Sequence, residues 1–256
     1  MPLTRFKFEG FDFMVDNAYL KHCLLIAISG AHSYGWATPK SDLDIRMVWV
    51  PDLAQAVSPF FPGKPKSWSE TFEDKSIDFA EYPLNHYLRL LCKGNVNAVE
   101  NLFEPHLFSD AKLVETLQKI VLSHQHQGAV ASYLGYAESL FKDMVNPTRL
   151  AKYSLTKLLL QAYRVLLGGL CYCQNKILFS LQKQSKVLQT EHCLSLLELY
   201  LKDSVPPQDL VSQAKLELAS LKQSLTQAKQ SLPTAELGDP MIELDHWAAG
   251  LYQALS

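Results

Sequence analysis

LLIAISGAHSYGWATPKSDLDIRMVWV, residues 24–50, decides how the chain is read. An apolar run, Leu24 to Ile28, stops at Gly30. A polar loop follows and ends at Ser41. Asp42 and Asp44 then flank Leu43, and a second apolar run begins at Ile45 and stops before Pro51. Both runs are short, rich in Ile, Val and Leu, and bounded by turn residues, which predicts strands rather than helices. Side chains alternate along a strand, so Asp42 and Asp44 project from one face. Two neighbouring carboxylates are hard to keep ionised without a cation. A divalent metal neutralises them, and Mg²⁺ favours carboxylate oxygen together with substrate phosphate.

Gly30 sits where the first strand should give way to a helix. A residue without Cβ lets successive backbone N–H groups approach an anion. Ser29, Gly30 and Ala31, then a gap of ten residues, then Asp42-Leu43-Asp44 resembles the pattern of DNA polymerase beta superfamily nucleotidyltransferases. The fuller wording GAHSYG…SDLDIR is similar to a bacterial and phage subfamily associated with RNA repair. That subfamily usually has Ser where this chain has Ala31. Its strand–helix stretch ending in Lys-Gly-Asn and a later Glu is matched by Asp78, Lys93, Gly94, Asn95 and Glu100. QAYRVL resembles a further motif, with Gln161 in a His position.

The resemblance implies a Mg²⁺- or Mn²⁺-dependent transfer of NMP from an NTP to a hydroxyl. It makes Asp42, Asp44 and Asp78 the catalytic and metal-binding residues. It makes Ser29, Gly30, Ala31, Ser33, Tyr34, Ser41, Lys157 and Arg164 the nucleotide-binding ones. The residues themselves support Asp78, since it lies between Ile77 and Phe79, where an unpaired charge is costly. Glu70, Glu73, Asp74 and Glu81 compete for that role, and Asp78 as a mere cap or ion pair is the bland alternative. Lys157, Gln161 and Arg164 recur on one helical face. They suit a triphosphate, or a snorkelling lysine with a structural arginine pair. Asn95 and Glu100 either touch nucleotide or simply form a helix–helix turn.

The totals bound the rest. The chain has 256 residues, 48% hydrophobic and 20% charged, which is ordinary for a globular protein. A formal net charge of −2 argues against broad nonspecific nucleic-acid binding but allows a local basic groove. Five scattered cysteines read as reduced packing residues. With no long apolar run and no signal-peptide core near the N-terminus, a cytoplasmic protein without membrane contact is expected.

Alternating Phe6, Phe8, Phe11 and Phe13 suggest a strand or extended arm, with a helix from Asp16. Pro- and Gly-rich residues 52–69 predict a long loop holding a short helix at Leu53–Val57. Strands are expected at Trp68–Phe72 and Lys75–Phe79. Helices are expected at Pro83 onward, Val96–Phe103, 111–122, 128–144, Lys152–Tyr172, Lys186–Lys202 and Pro207–Gln230. A turn follows at Pro233, Gly238 and Pro240, and then a last helix with Trp247 and Leu251. Val211, Ala214, Leu218, Leu221, Leu225 and Ala228 form a heptad seam that suits packing within the chain or a homo-oligomer through the helical domain. The expected architecture is α/β (α+β), a small mixed sheet in a catalytic domain 1–109, followed by an all-α helical domain 110–256.

The acceptor stays open among an RNA end, a small molecule and a protein hydroxyl. Lys142, Arg149, Lys152, Lys157 and Arg164 form a locally basic stretch. A second reading is an antitoxin-like interaction module that keeps the fold without turnover, which Ala31 favours and three carboxylates oppose. His124/His126 and Cys171/Cys173 lack the partners of a zinc site. P-loop and α/β-hydrolase signatures do not occur.

Overall fold

A computed structural model describes residues 3–58, 63–72, 75–177, 180–234 and 238–255. Pro59 and Pro62 of the expected loop, and Glu73 and Asp74, lie outside these. The chain forms two compact units. One comprises Met1–Ser33, Pro39–His124 and Glu236–Ser256, and the other Tyr34–Thr38 and Gln125–Ala235.

The first unit opens with a hairpin, β1 (Leu3–Phe8) and β2 (Phe11–Asp16). Its turn is Glu9–Gly10, both at positive φ, 45° and 82°. The helix expected from Asp16 is one turn, α1 (Asn17–Leu20), capped by the Asp16 carboxylate. Next come β3 (Cys23–Ser29), α2 (Gly30–Tyr34), β4 (Leu43–Trp49) and α3 (Leu53–Val57). β5 (Lys66–Phe72), β6 (Lys75–Pro83), α4 (Leu84–Cys92), α5 (Val96–Phe103), β7 (His106–Ser109) and α6 (Ala111–Ser123) complete the series.

Five strands form one mixed sheet in the order β5-β6-β4-β3-β7. β4 and β6 run parallel, and the other neighbours are antiparallel. β6 is longer than expected because Ala80–Pro83 continue its pairing along Arg46–Trp49. β5 starts at Lys66, so the long loop is shorter than residues 52–69 suggested. Alternation sorts the two faces. Ile26, Ile28, Leu43, Ile45, Met47, Ile77 and Phe79 join Phe11, Phe13 and Val15 of the hairpin in one apolar cluster. The opposite face carries Leu25 and Ala27, both fully buried, with α4, α5 and α6 alongside.

The second unit is helical: α7 (Gln127–Asp143), α8 (Pro147–Lys152), α9 (Leu155–Cys173), α10 (Leu181–Leu188), α11 (Glu191–Leu201) and α12 (Gln208–Gln230). The helix expected from Lys152 starts later, at Leu155, and the one expected at 186–202 is divided. Pro147 starts its own short helix α8, and α9 begins afresh at Leu155 behind the Ser154 cap. The stretch 186–202 breaks at Gln189, which is left-handed at φ 54°. The heptad seam packs within the unit. Val211, Ala214, Leu218 and Leu225 are buried where α12 meets α7 and α9. α9 comes closest at Gly169, where a Cβ would lie 2.8 Å from Leu225 Cδ2 and 3.1 Å from Tyr133 Cβ.

α13 (Gly238–Leu255) returns to the first unit. Gly238 and Pro240, expected in a turn, lie in its first turn, where proline is tolerated. All five cysteines are free, and no helix among the described residues is long and apolar enough to cross a membrane.

Gly169→Val is expected to destabilise the helical unit by about 1–3 kcal/mol through overpacking. Chemical denaturation would show a lower midpoint with an unchanged slope.

Candidate functional site

The register of the sheet puts four polar residues in one row. Ser29 of β3 faces Asp44 of β4. Asp44 faces Asp78 of β6, and Asp78 faces Ser69 of β5. Paired residues on neighbouring strands point to the same face, with strands about 4.8 Å apart. Asp44 and Asp78 are therefore adjacent carboxylates, at the start of two parallel strands. Asp42 precedes β4 by one residue and is exposed.

Gly30 follows this row directly. It has φ +66°, and a Cβ there would collide with the Asp44 Oδ2 atom and come within 2.8 Å of Cγ. The Asp44 carboxylate occupies the space that a side chain at residue 30 would need. The first structural role of this glycine is to admit an aspartate.

Asp44 is the strained charge of the row. Burial raises its carboxyl pKa above the ordinary value. Arg46 opposes the shift, and the charges of Asp78 and then Asp42 add to it. Arg46 Nη2 donates to Asp44 Oδ1 at 3.2 Å. Two hydroxyls donate to Asp78 Oδ1, Ser69 Oγ at 2.6 Å and Ser76 Oγ at 3.4 Å. Ser29 Oγ donates to Glu104 Oε1 at 3.0 Å, and Glu104 is itself buried. Arg46 has a visible signal, since it lies two residues after Asp44 on the same strand face. Glu104 has none, because its partner is 75 positions away.

Ala31 is half-buried beside Gly30. Ser33 is buried, and its Oγ has no hydrogen-bond partner among the described residues. Ser41, half-buried, closes the loop. His32 Nδ1 lies 2.8 Å from Glu9 Oε2 of the hairpin turn, and its ring meets Phe8 and Phe11 edge-on.

Tyr34, Lys157 and Arg164 belong to the helical unit. Arg164 is 3% exposed. Its Nη1 donates to the Tyr34 hydroxyl at 2.9 Å, and its guanidinium lies 4.4 Å from the Tyr34 ring and 5.3 Å from that of Tyr136. Lys157 Nζ sits 5.6 Å from the Tyr153 ring, with Lys152 Nζ at 5.7 Å from the same ring. Asn95 caps α5 by accepting from Ala98 N, and Glu100 is buried. His124 lies 2.6 Å from Glu243, while His126 caps α7.

Carboxylate oxygens are the donors a hard divalent cation takes. Asp42 makes no hydrogen bond or ion pair among the described residues, so its oxygens are available beside those of Asp44. The donor chemistry fits Mg²⁺ or Mn²⁺. No group of three or more His, Cys, Asp or Glu side chains among the described residues is placed to hold a metal ion.

A small mixed sheet followed by helices carries adjacent strand carboxylates beside a glycine turn. The chain belongs to the RNA repair pathway DNA polymerase beta family (RlaP), which matches residues 14–253. Its family makes it a polymerase beta-like nucleotidyltransferase. The crystal structure of a nucleotidyltransferase-like protein from Exiguobacterium sibiricum is similar at 12% identity, over 83% of this chain and 73% of that one, with a TM-score of 0.38. No curated protein matches the chain in sequence.

Two substitutions test this geometry. Gly30→Ala is expected to cost stability through both φ and the collision with Asp44, by about 1–2 kcal/mol from the backbone alone. Thermal melts measure that loss. Asp44→Asn is expected to act in the opposite sense. A carboxyl whose folded pKa is raised destabilises the fold when ionised, and that cost vanishes as pH falls below its unfolded value near about 4. The variant should therefore melt higher than the parent at pH 7, with the gain disappearing in acid. A lower melting temperature at pH 7 would contradict a desolvated Asp44.

Proposed function

We propose that the protein transfers a nucleoside monophosphate from an NTP to a hydroxyl acceptor, aided by Mg²⁺ or Mn²⁺. The observation that carries this reading is Asp44 beside Asp78 in one row, closed by Gly30. Asp42 and Asp44 are the residues that would hold the cation, with Asp78 contributing to a second. Bound there, the cation supplies charge neutralisation for the triphosphate and the departing pyrophosphate.

Each protein group then has a task. The turn from Ser29 through Gly30, Ala31 and Ser33, with Ser41, lines the phosphates. Asp78 accepts the proton of the attacking hydroxyl, and Ser69 and Ser76 fix the orientation of its carboxylate. Arg46 keeps Asp44 ionised against burial and the two neighbouring charges. Within the helical unit, Arg164 holds Tyr34 in place. We assign the chemistry to residues 1–109.

An RNA end is the acceptor that the family description favours. Lys152 and Lys157 around Tyr153 offer a ring for base stacking between two cations, as strand-binding surfaces do. Five free cysteines support a reducing, cytoplasmic setting. A second reading, a partner-binding module without turnover, is favoured by Ala31 and by the absence, among the described residues, of three His, Cys, Asp or Glu side chains placed to hold a metal ion.

Purified protein incubated with each α-labelled NTP, Mg²⁺ or Mn²⁺, and RNA or small-molecule acceptors is expected to release pyrophosphate and label an acceptor. Asp42→Ala, Asp44→Ala and Asp78→Ala should each lower that rate by about 10²-fold or more. Folded protein that yields no labelled product with any NTP, or whose activity survives all three changes, would favour the binding module.

A further inference from the structure

β5 ends the sheet, and no strand among the described residues pairs with its outer edge. Each residue from Lys66 to Thr71 is exposed. An open edge offers unpaired N–H and C=O groups to another strand, and proteins usually blunt it with proline, a bulge or an extremely short strand. β5 uses none of these. It runs seven residues, KSWSETF, and its register with β6 is unbroken. The opposite edge, β7, has only four residues, all half-buried.

Lys66, Trp68 and Glu70 share the hairpin face of this strand. Trp68 is 38% exposed. Its ring stacks on Phe79 of β6, centroids 5.0 Å apart at 12°. With Phe79 on the inner strand, the other face of the ring turns to the open edge. Trp68 Nε1 donates to Glu70 Oε1 at 2.9 Å, which holds that carboxylate beside the indole. Lys66 has Glu81 as its inner neighbour in the register, yet makes no ion pair among the described residues. The order cation, aromatic, anion at two-residue steps is its own complement. In an antiparallel pair of β5 strands with the two-fold axis at Trp68, Lys66 falls opposite Glu70 of the second copy, Glu70 opposite Lys66, and Trp68 opposite Trp68. On the other face Ser67 falls opposite Ser69. An axis at Ser69 would set Trp68 against Glu70, and one at Ser67 would carry Glu70 past the first residue of the strand.

We propose that the β5 edge is a self-association surface, which pairs with β5 of a second copy of this chain about a two-fold axis at Trp68. The aromatic row Phe79–Trp68 then continues into its symmetry mate, and two Lys66–Glu70 pairs flank it. Asp78 of each copy lies on the same face of the joined sheet, with three strand spacings of about 4.8 Å between the two β6 strands. A seam two strands wide is small, so the dimer is weak, with Kd at the micromolar end.

Sedimentation of the full chain over about 1–200 µM is expected to show a monomer–dimer equilibrium. Lys66→Glu and Glu70→Lys each set like charges opposite one another and should raise Kd by about tenfold or more. The double exchange, Lys66→Glu with Glu70→Lys, restores the opposite pairs and should bring Kd back towards the parent value. Circular dichroism checks that these surface variants fold. Mild oxidation adds a geometric readout. Trp68→Cys lies on the axis and should cross-link to its own mate, whereas Glu70→Cys lies off it and should not, with the parent chain and its five free cysteines as the control. Should Trp68→Cys not fold, the charge exchange carries the test alone. A chain that stays monomeric, a dimer indifferent to both charge reversals, a double exchange that fails to restore it, or cross-linking of Glu70→Cys as readily as of Trp68→Cys would overturn the proposal.

Discussion

The carboxylate of Asp44 lies where a side chain at residue 30 would have to be. This single steric fact joins the end of β3 to the start of β4 and explains why a glycine must stand between Ser29 and Ala31. It also fixes the electrostatics. An acid held against backbone loses water, so its charge is tolerated only through Arg46, and Asp78 and Asp42 work against it. Such a group is poor for stability and suited to binding a cation, the combination expected where function opposes folding.

The sheet makes that arrangement possible. Parallel pairing of β4 with β6 places Asp44 and Asp78 level, while the apolar alternates of both strands turn to the hairpin face. One register therefore serves the core and the acidic row together. A slip by one residue would send both acids into the cluster around Phe13 and Phe79, at a large desolvation cost. The hydrophobic pattern thereby enforces the position of the polar groups.

The strand pair around Asp42 and Asp44 was legible because each run is short, β-branched and closed by glycine or proline. Leu84, Tyr87, Leu88 and Leu91 announced α4 in the same way, and Asn95 announced the start of α5. Other features depend on distant partners. His106–Ser109 is too brief to carry a period and becomes β7 only by pairing with β3. The break at Gln189 leaves no glycine or proline as a mark. Arg164 looked like one member of a basic face, yet its guanidinium is consumed by Tyr34, 130 positions earlier. Local chemistry identified the acids of the row, and only the tertiary register could reveal Ser69 and Glu104 beside them.

α13 has a consequence for how the molecule is made. The first unit is discontinuous in sequence, since the whole of Gln125–Ala235 is synthesised before its last helix appears. The helical unit can complete its packing while a ribosome still holds the C-terminal stretch. Only the faces of α4 and α6 that α13 covers must wait for Leu244 and Leu251 to arrive. The hairpin and sheet close their own apolar cluster without it.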